Sequence, residues 1–431
     1  MKKSLVIFSM IGLLSCDRKA EIEKNEKSES DTSRLSFTMN MACMDSLVLI
    51  GEFMGEKFFE GGISGLTYIP GTKNEFYAVN DRGPNTSLRS LLSKENTVLF
   101  PFPDYSQKVI RLKFLDNKFF IISLNTITDH EGTPISGFPA DRKSGSACEI
   151  PNINLNGTKA TNNRCKYDLE GIAIDDNGDL WVVDEYRPAV LKIDGKSFQI
   201  KQQFSAESDN GASQLPEIYT KRKANRGFEG VAVTPSGKIL AILQSPLETE
   251  ELYDSIPNRL VRILYLDPIS GNTKTFGCEL SDSINDPKIG DMDAINENEF
   301  LIIEHGINSS GKTAHVFKIN IQYATNIETV SFNEGKSFES FKNNAKAQFY
   351  GVTLVNKSHV LNLIKAGFNP EFGKPEGITL IDKYTFAIVN DNDYAIEGVN
   401  EKRRLIMNKQ ASCLYTFKCN KAIFNTAENQ K

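Results

Sequence analysis

The chain has a single tryptophan and four histidines among its 431 residues, and no run beyond the first sixteen is apolar for long enough to cross a bilayer. No cysteine pair has zinc-ligand spacing with histidines nearby, which argues against structural zinc. There is no GxSxG elbow for a serine nucleophile, and no Walker or dinucleotide glycine pattern. Positive charge is not in excess: the net charge of −5 speaks against nucleic acid as a partner. No long Pro/Ser-rich linker interrupts residues 60–395. Length alone suggests two or three domains, but the missing linker favours one large domain.

What the chain does have is a repeated phrase. An acidic residue and a glycine open an apolar run, a turn follows, and a second apolar run ends in acid or amide. It reads DLEGIAIDDNGDLWVVDE from Asp168, FEGVAVTPSGKILAILQ from Phe228 and PEGITLIDKYTFAIVNDND from Pro375. Looser copies start at Ser64 (SGLTYIPGTKNEFYAVNDRG) and Gly290 (GDMDAINENEFLIIEHG). Repetition of this kind implies one architecture built several times. β-prone runs either side of Asp176-Asn177-Gly178 predict a hairpin that returns Asp184 and Glu185 beside Glu170. The same folding brings Gln244 to Glu229, Asn390 and Asp391 to Glu376, Asn80 and Asp81 to Ser64, and Glu304 to Asp291. Gly65, Gly171, Gly230 and Gly377 directly follow the key positions, as expected where backbones crowd together or approach a ligand. Four-stranded units of roughly 40–50 residues leave room for about six blades. The expected fold is therefore all-β, a single six-bladed β-propeller over residues 41–424 with a central acid-lined channel.

Lys2 and Lys3 precede the apolar stretch Leu5 to Leu14, and Leu13-Leu14-Ser15-Cys16 resembles a bacterial lipobox. Residues 1–16 are read as a lipoprotein signal peptide, with Cys16 lipidated, and the polar residues 17–40 as a tether. The expected location is the bacterial cell envelope, periplasmic or surface-facing, and the expected state monomeric. The other six cysteines, Cys43, Cys148, Cys165, Cys278, Cys413 and Cys419, are an even number, as in exported disulfide proteins. Cys148 and Cys165 bracket a polar loop that a bond would pin, and a bond from Cys43 to Cys413 or Cys419 would close the first strand on the last. Buried free thiols are the alternative.

Glu170, Glu229 and Glu376 lead the candidate site, followed by Asp81, Asp184, Glu185, Asp291, Asp293, Glu304, Asp391 and Asp393. Converging carboxylates repel unless a cation neutralises them, and hard oxygen donors suit Ca²⁺, or less well Mg²⁺. Arg82, Arg187, Arg226 and Lys374 flank these phrases, so salt-bridge scaffolding is an equal alternative for the second group. Acids and bases together also suit a small anionic or ester substrate. His305 is read as a surface neighbour, and Ser64 as a hydrogen-bonding group.

GISGL with VNDRG, DLEGIAI with LWVVDEYRP, NRGFEGVAV, and PEGITL with VNDND resemble the phytase-like family, named for the esterase-like activity of phytase. The resemblance implies a β-propeller and, by looser similarity to calcium-dependent propeller phytases, metal-assisted phosphoester hydrolysis. It implies Ca²⁺ held by Glu170, Glu229 and Glu376, with Arg82, Arg187, Arg226 and Lys374 facing phosphate and a cation-activated water attacking phosphorus. The metal set expected overall adds Asp81, Asp184, Asp291, Glu304 and Asp391, and Glu170, Glu229, Glu376, Arg82, Arg187 and Arg226 are the expected catalytic residues. Two other readings stand: a lactonase or sugar-ester hydrolase, and a calcium-stabilised binding scaffold. Asp291-Met292-Asp293 and Ser64 depart from the Glu-Gly pattern and leave the acid ring incomplete.

Overall fold

The structure is a computed structural model that describes residues 35–424 except 46, 93–96, 140–148, 160–163, 208–211, 249–256, 333–335 and 409. The leader at 1–16 and Cys148 lie outside the described residues. Residues Ser36–Lys431 form one compact unit. β1 (Phe37–Cys43) opens it, with residues 37–40 inside the expected tether, which ends at 40.

Four antiparallel sheets follow in chain order. The first comprises β2 (Ile63–Tyr68), β3 (Glu75–Asn80), β4 (Lys108–Leu115) and β5 (Lys118–Thr126). The second comprises β6 (Leu169–Ile174), β7 (Leu180–Asp184), β8 (Ala189–Ile193) and β9 (Ile200–Ser205), with a two-residue parallel edge at Ser213–Gln214. The third holds β10 (Phe228–Val233), β11 (Ile239–Leu243), β12 (Leu260–Leu266) and β13 (Thr273–Glu279). The fourth holds β14 (Asn285–Ala294), β15 (Glu299–Asn308), β16 (Gly311–Asn320) and β17 (Asn356–Asn362). The fifth departs from this local order. Its strands β18 (Lys374–Asp382), β19 (Thr385–Asp391) and β20 (Cys413–Cys419) take β1 as the outer strand. Chain start and chain end thus share one sheet, and a Cys43–Cys413 disulfide joins them where the register pairs these residues. Of the two closing bonds expected, this is the one formed; Cys278 and Cys419 are buried free thiols.

Sheets in this arrangement are covered on both faces, so their strands read as continuous apolar runs. β7 and β11 are buried along their whole length. One apolar layer joins Val79 and Val109 of the first sheet to Leu169, Val182 and Leu191 of the second. Others join the second to the third through Trp181, Phe204 and Phe228, and the third to the fourth through Ile263, Phe276 and Phe300. A further layer brings Leu66 and Phe76 of the first sheet against Val389 and Leu414 of the fifth.

The first strands meet at the centre, where glycine is a steric requirement. A Cβ on Gly171 of β6 would lie 2.7 Å from the Val231 nitrogen of β10, and one on Gly230 would lie 2.6 Å from the Met292 nitrogen of β14. Gly65 of β2 packs in the same way on β6, Gly290 of β14 on Pro375 of β18, and Gly377 of β18 on Leu66 of β2. These contacts close a circuit of five first strands. Six units were expected; among the described residues there are five such sheets, four of four strands and one of five. The additional length goes into side structures, including the hairpin Leu49–Phe53/Glu56–Phe59, the three-stranded sheet of Thr86–Ser87, Thr97–Leu99 and Ile150–Asn152, and the hairpin Ile396–Val399/Leu405–Met407.

At the centre, where an acid-lined channel was expected, an acid bridges the first strands. Asp291 Oδ2 accepts from the Ile378 amide at 3.0 Å, and its Oδ1 would be 2.8 Å from a Cβ on Gly171. Asp291 therefore spans from the fourth sheet to the second and fifth.

Candidate functional site

Each of the five central hairpins carries a register irregularity at its key residue. The shifts fall at Ile63/Gly65, Leu169/Ile172, Phe228/Gly230, Ile289/Met292 and Pro375/Gly377. An extra residue in one strand bends the ladder and re-aims a side chain. Here it turns Ser64, Glu170, Glu229 and Glu376 out of the pleat, and all four are buried.

The second strand of four of these hairpins carries two adjacent polar residues with separate duties, and the third hairpin has Leu243 before Gln244. The first is paired across the ladder and ties backbone. Asp184 Oδ1 accepts from the amides of Asp168 (2.9 Å) and Tyr186 (3.0 Å). Asn80 Oδ1 accepts from Lys108 N at 2.8 Å, and Asn390 Oδ1 from Cys413 N at 2.7 Å. Glu304 accepts from the Ser281 amide at 3.0 Å and pairs with Lys357. Asp184 and Glu304, expected as metal ligands, are thus used inside the fold. Asp291 and Asp293 are too, since Asp293 Oδ2 accepts from the Leu380 amide at 2.6 Å. The second residue of each pair is Asp81, Glu185, Gln244, His305 or Asp391, and this position faces the site. His305, expected at the surface, is buried and its Nε2 has no hydrogen-bond partner.

Oxygens of Asp168, Glu170 and Glu185 lie within 4.8 Å of one another. Gln244 Nε2 donates to Glu185 (2.8 Å) and Glu229 (2.9 Å), linking Glu229 to the group. Burial, reinforced by Glu229, Asp168, Glu185 and Glu376, holds the Glu170 carboxyl well above its usual range. Burial and Glu376 push Glu229 up to about 8, against the opposing effects of Gln244, Lys288 and Lys374. Burial, with Glu229 and Asp168, also raises Glu185. Asp81, raised to about 7 by burial, extends the acidic face toward Asp391 and Asp393.

Cations border this face. Lys374 Nζ sits 3.2 Å from Glu376, 3.0 Å from Asp391 and 3.3 Å from Asp393. Asp393, Tyr394 and Ala395 hold successive left-handed φ values of 45°, 51° and 61°, a costly backbone that the surroundings must enforce. Arg82 pairs with Glu149, reaches Asn225 Oδ1 at 2.9 Å and stands 3.7 Å from Asp168. Arg226 forks onto Asp286 at 2.9 and 2.8 Å. Arg187 is turned elsewhere: it donates to the Lys166 carbonyl at 2.9 Å and covers the Tyr167 ring at 4.8 Å.

Sequence reasoning left out Asp168 and Lys288 as site residues. Asp168 had a signal, because it lies two residues before Glu170 and period-two spacing shares a face. Lys288, which acts on Glu185 and Glu229, had none.

The buried acids fit a hard divalent cation. Their charges raise one another's pKa in its absence, and Gln244 Oε1, on the amide that links Glu185 and Glu229, is buried without a partner.

The pattern that defines the phytase-like family, described as esterase-like activity of phytase, matches residues 60–394. The chain belongs to this family. The phytase-like chain is also 29% identical over 239 residues to an uncharacterized secreted protein of the fungus Arthroderma benhamiae. That match covers 46% of this chain, which spans only 45% of the relative's length. Solved structures resemble it weakly. A virginiamycin B lyase from Staphylococcus aureus has 10% identity and a TM-score of 0.31, covering 89% of this chain and 99% of its own. A protein of unknown function from Dyadobacter fermentans has 11% identity and a TM-score of 0.36, with the same coverages. At such scores neither informs function. Among the described residues no helix is long and apolar enough to cross a membrane.

Proposed function

We propose that this protein is a five-bladed β-propeller hydrolase of phosphate esters that works with a divalent cation, Ca²⁺ in the first instance. The observation that carries this reading is the buried group of Asp168, Glu170 and Glu185, with ligand oxygens within 4.8 Å, Arg82 at its edge and Lys374 beyond it on Glu376. Family membership supports the hydrolase class. Asp168, Glu170 and Glu185 would hold the cation, with Gln244 Oε1 as a neutral donor nearby. A cation there would supply charge neutralisation and lower the pKa of water. Arg82, Lys374 and Lys288 orient the anionic ester, and Glu229, whose carboxyl burial and Glu376 raise in the cation-free fold, is the group placed to pass a proton to the leaving oxygen. Export fits the Cys43–Cys413 disulfide, and lipidation at Cys16 would place the enzyme at the cell envelope.

The test is turnover of phosphomonoesters, phytate, carboxyl esters and lactones with Ca²⁺ and with chelator, in wild type and Glu170→Gln. Phosphoester turnover lost on chelation and in the variant, with the circular dichroism spectrum unchanged, is the expected result. Inactivity on every ester, with chelation only lowering the melting temperature, would leave a calcium-stabilised scaffold instead.

A further inference from the structure

A cavity of about 350 Å³ opens at the Lys374–Asp393 edge of the acidic face. Lys374 and Asp393 form part of its wall and also belong to the acidic face, so the two spaces share a boundary. Lys288, whose charge acts on Glu185 and Glu229, lines the same side. The remaining wall is mixed, with Asp286, Lys312, Thr313 and Gln410 among apolar groups. Phe368, Ile364, Ala314 and Pro370 supply apolar surface, and Phe368 and Ala314 are buried. His305 also lines the wall, with its Nε2 enclosed and unpartnered.

We propose that this cavity receives the alcohol half of the substrate, so that the preferred ester is a phosphomonoester of an apolar, ring-sized alcohol. The inference rests on the hydrolase reading above. Lys288 and Lys374 hold the phosphoryl group at the boundary, and the alcohol lies against Phe368 and Ile364. A polyphosphorylated ring such as phytate carries more phosphates than the three lysines lining the cavity, Lys288, Lys312 and Lys374, can pair, and would strip water from the rest against Ile364 and Pro370, which is costly. In the reaction the oxygen of water bonds to phosphorus and the bond from phosphorus to the alcohol oxygen breaks. The electron pair stays on that oxygen, which takes up a proton. Free alcohol and inorganic phosphate leave.

The experiment uses the full chain and measures kcat/KM for cyclohexylmethyl phosphate, ethyl phosphate and phytate. The two alkyl esters have similar leaving groups, so their ratio reports the cavity. The expected preference for cyclohexylmethyl over ethyl phosphate is at least about tenfold. Ile364→Trp, which fills the cavity, should lower that ratio about tenfold, and the milder Ile364→Ala about threefold. Equal kcat/KM for the two alkyl esters, a preference for phytate, or a ratio unchanged in both variants would overturn the proposal. If no ester is turned over, the hydrolase reading has failed, and calorimetric titration with cyclohexylmethylphosphonate against methylphosphonate still decides the cavity. Tighter binding of the larger phosphonate, weakened in Ile364→Ala, would support it; equal affinity or no binding would overturn it.

Discussion

Replacing Glu229 with glutamine should make the metal-free protein more stable at pH 8, although it alters a buried residue at the centre of the site. The carboxyl rises from 4.5 in the unfolded chain to about 8 in the fold, because burial and Glu376 disfavour its charge. As pH climbs, the unfolded chain therefore releases this proton first, and the folded state loses stability between about 4.5 and 8. The rise from 4.5 to about 8 corresponds to a loss of at most about 5 kcal/mol at the top of that window. Glutamine has nearly the same shape, retains an oxygen for Gln244 Nε2, and carries no charge to bury. Urea unfolding in chelator at pH 5 and pH 8 measures the effect. Wild type should weaken toward pH 8, and Glu229→Gln should weaken less. A wild type as stable at pH 8 as at pH 5, or a variant that falls equally far, would refute the reasoning. Added Ca²⁺ should stabilise wild type more at pH 8 than at pH 5, since it competes with the protons on Glu170 and Glu185.

Gly230→Ala should cost about 1–3 kcal/mol or prevent folding, because its Cβ would meet the Met292 nitrogen at 2.6 Å; a denaturant midpoint unchanged from wild type would contradict the close approach. Replacing Cys43 and Cys413 together by alanine removes a bond between residues separated by 370 positions and should lower stability by about 2–5 kcal/mol in denaturant melts. Glu339→Ala leaves Arg262 buried without the carboxylate it now contacts at 2.6 and 3.1 Å, and should cost about 3–5 kcal/mol by the same measurement.

The hairpins were legible because turn chemistry and apolar runs are local properties. Asp176-Asn177-Gly178 lies between β6 and β7, and Leu169 pairs with Asp184 as the folding of that phrase implied. The glycines were legible in kind as sites of backbone crowding. Which of two adjacent polar residues faces the site was not legible. Glu304 and His305 look alike as termini of a strand, yet the register of β14 on β15 turns Glu304 to Lys357 and His305 to the cavity. A shift of one residue exchanges the faces of a strand, and a bulge is invisible in composition.

By itself the sequence determined the repeated unit, its all-β character and the acids that cap it, since each depends on residues a few positions apart. Only the tertiary structure decided that the described central sheets are five, that Cys413 rather than Cys419 joins the first strand to the last, and that Asp291 bridges the central strands. It also decided that Arg187 turns away while Lys288 turns in. Those outcomes depend on contacts between residues far apart in the chain, such as Gly377 on Leu66 and Asp291 on Ile378, where steric fit and burial act across sheets.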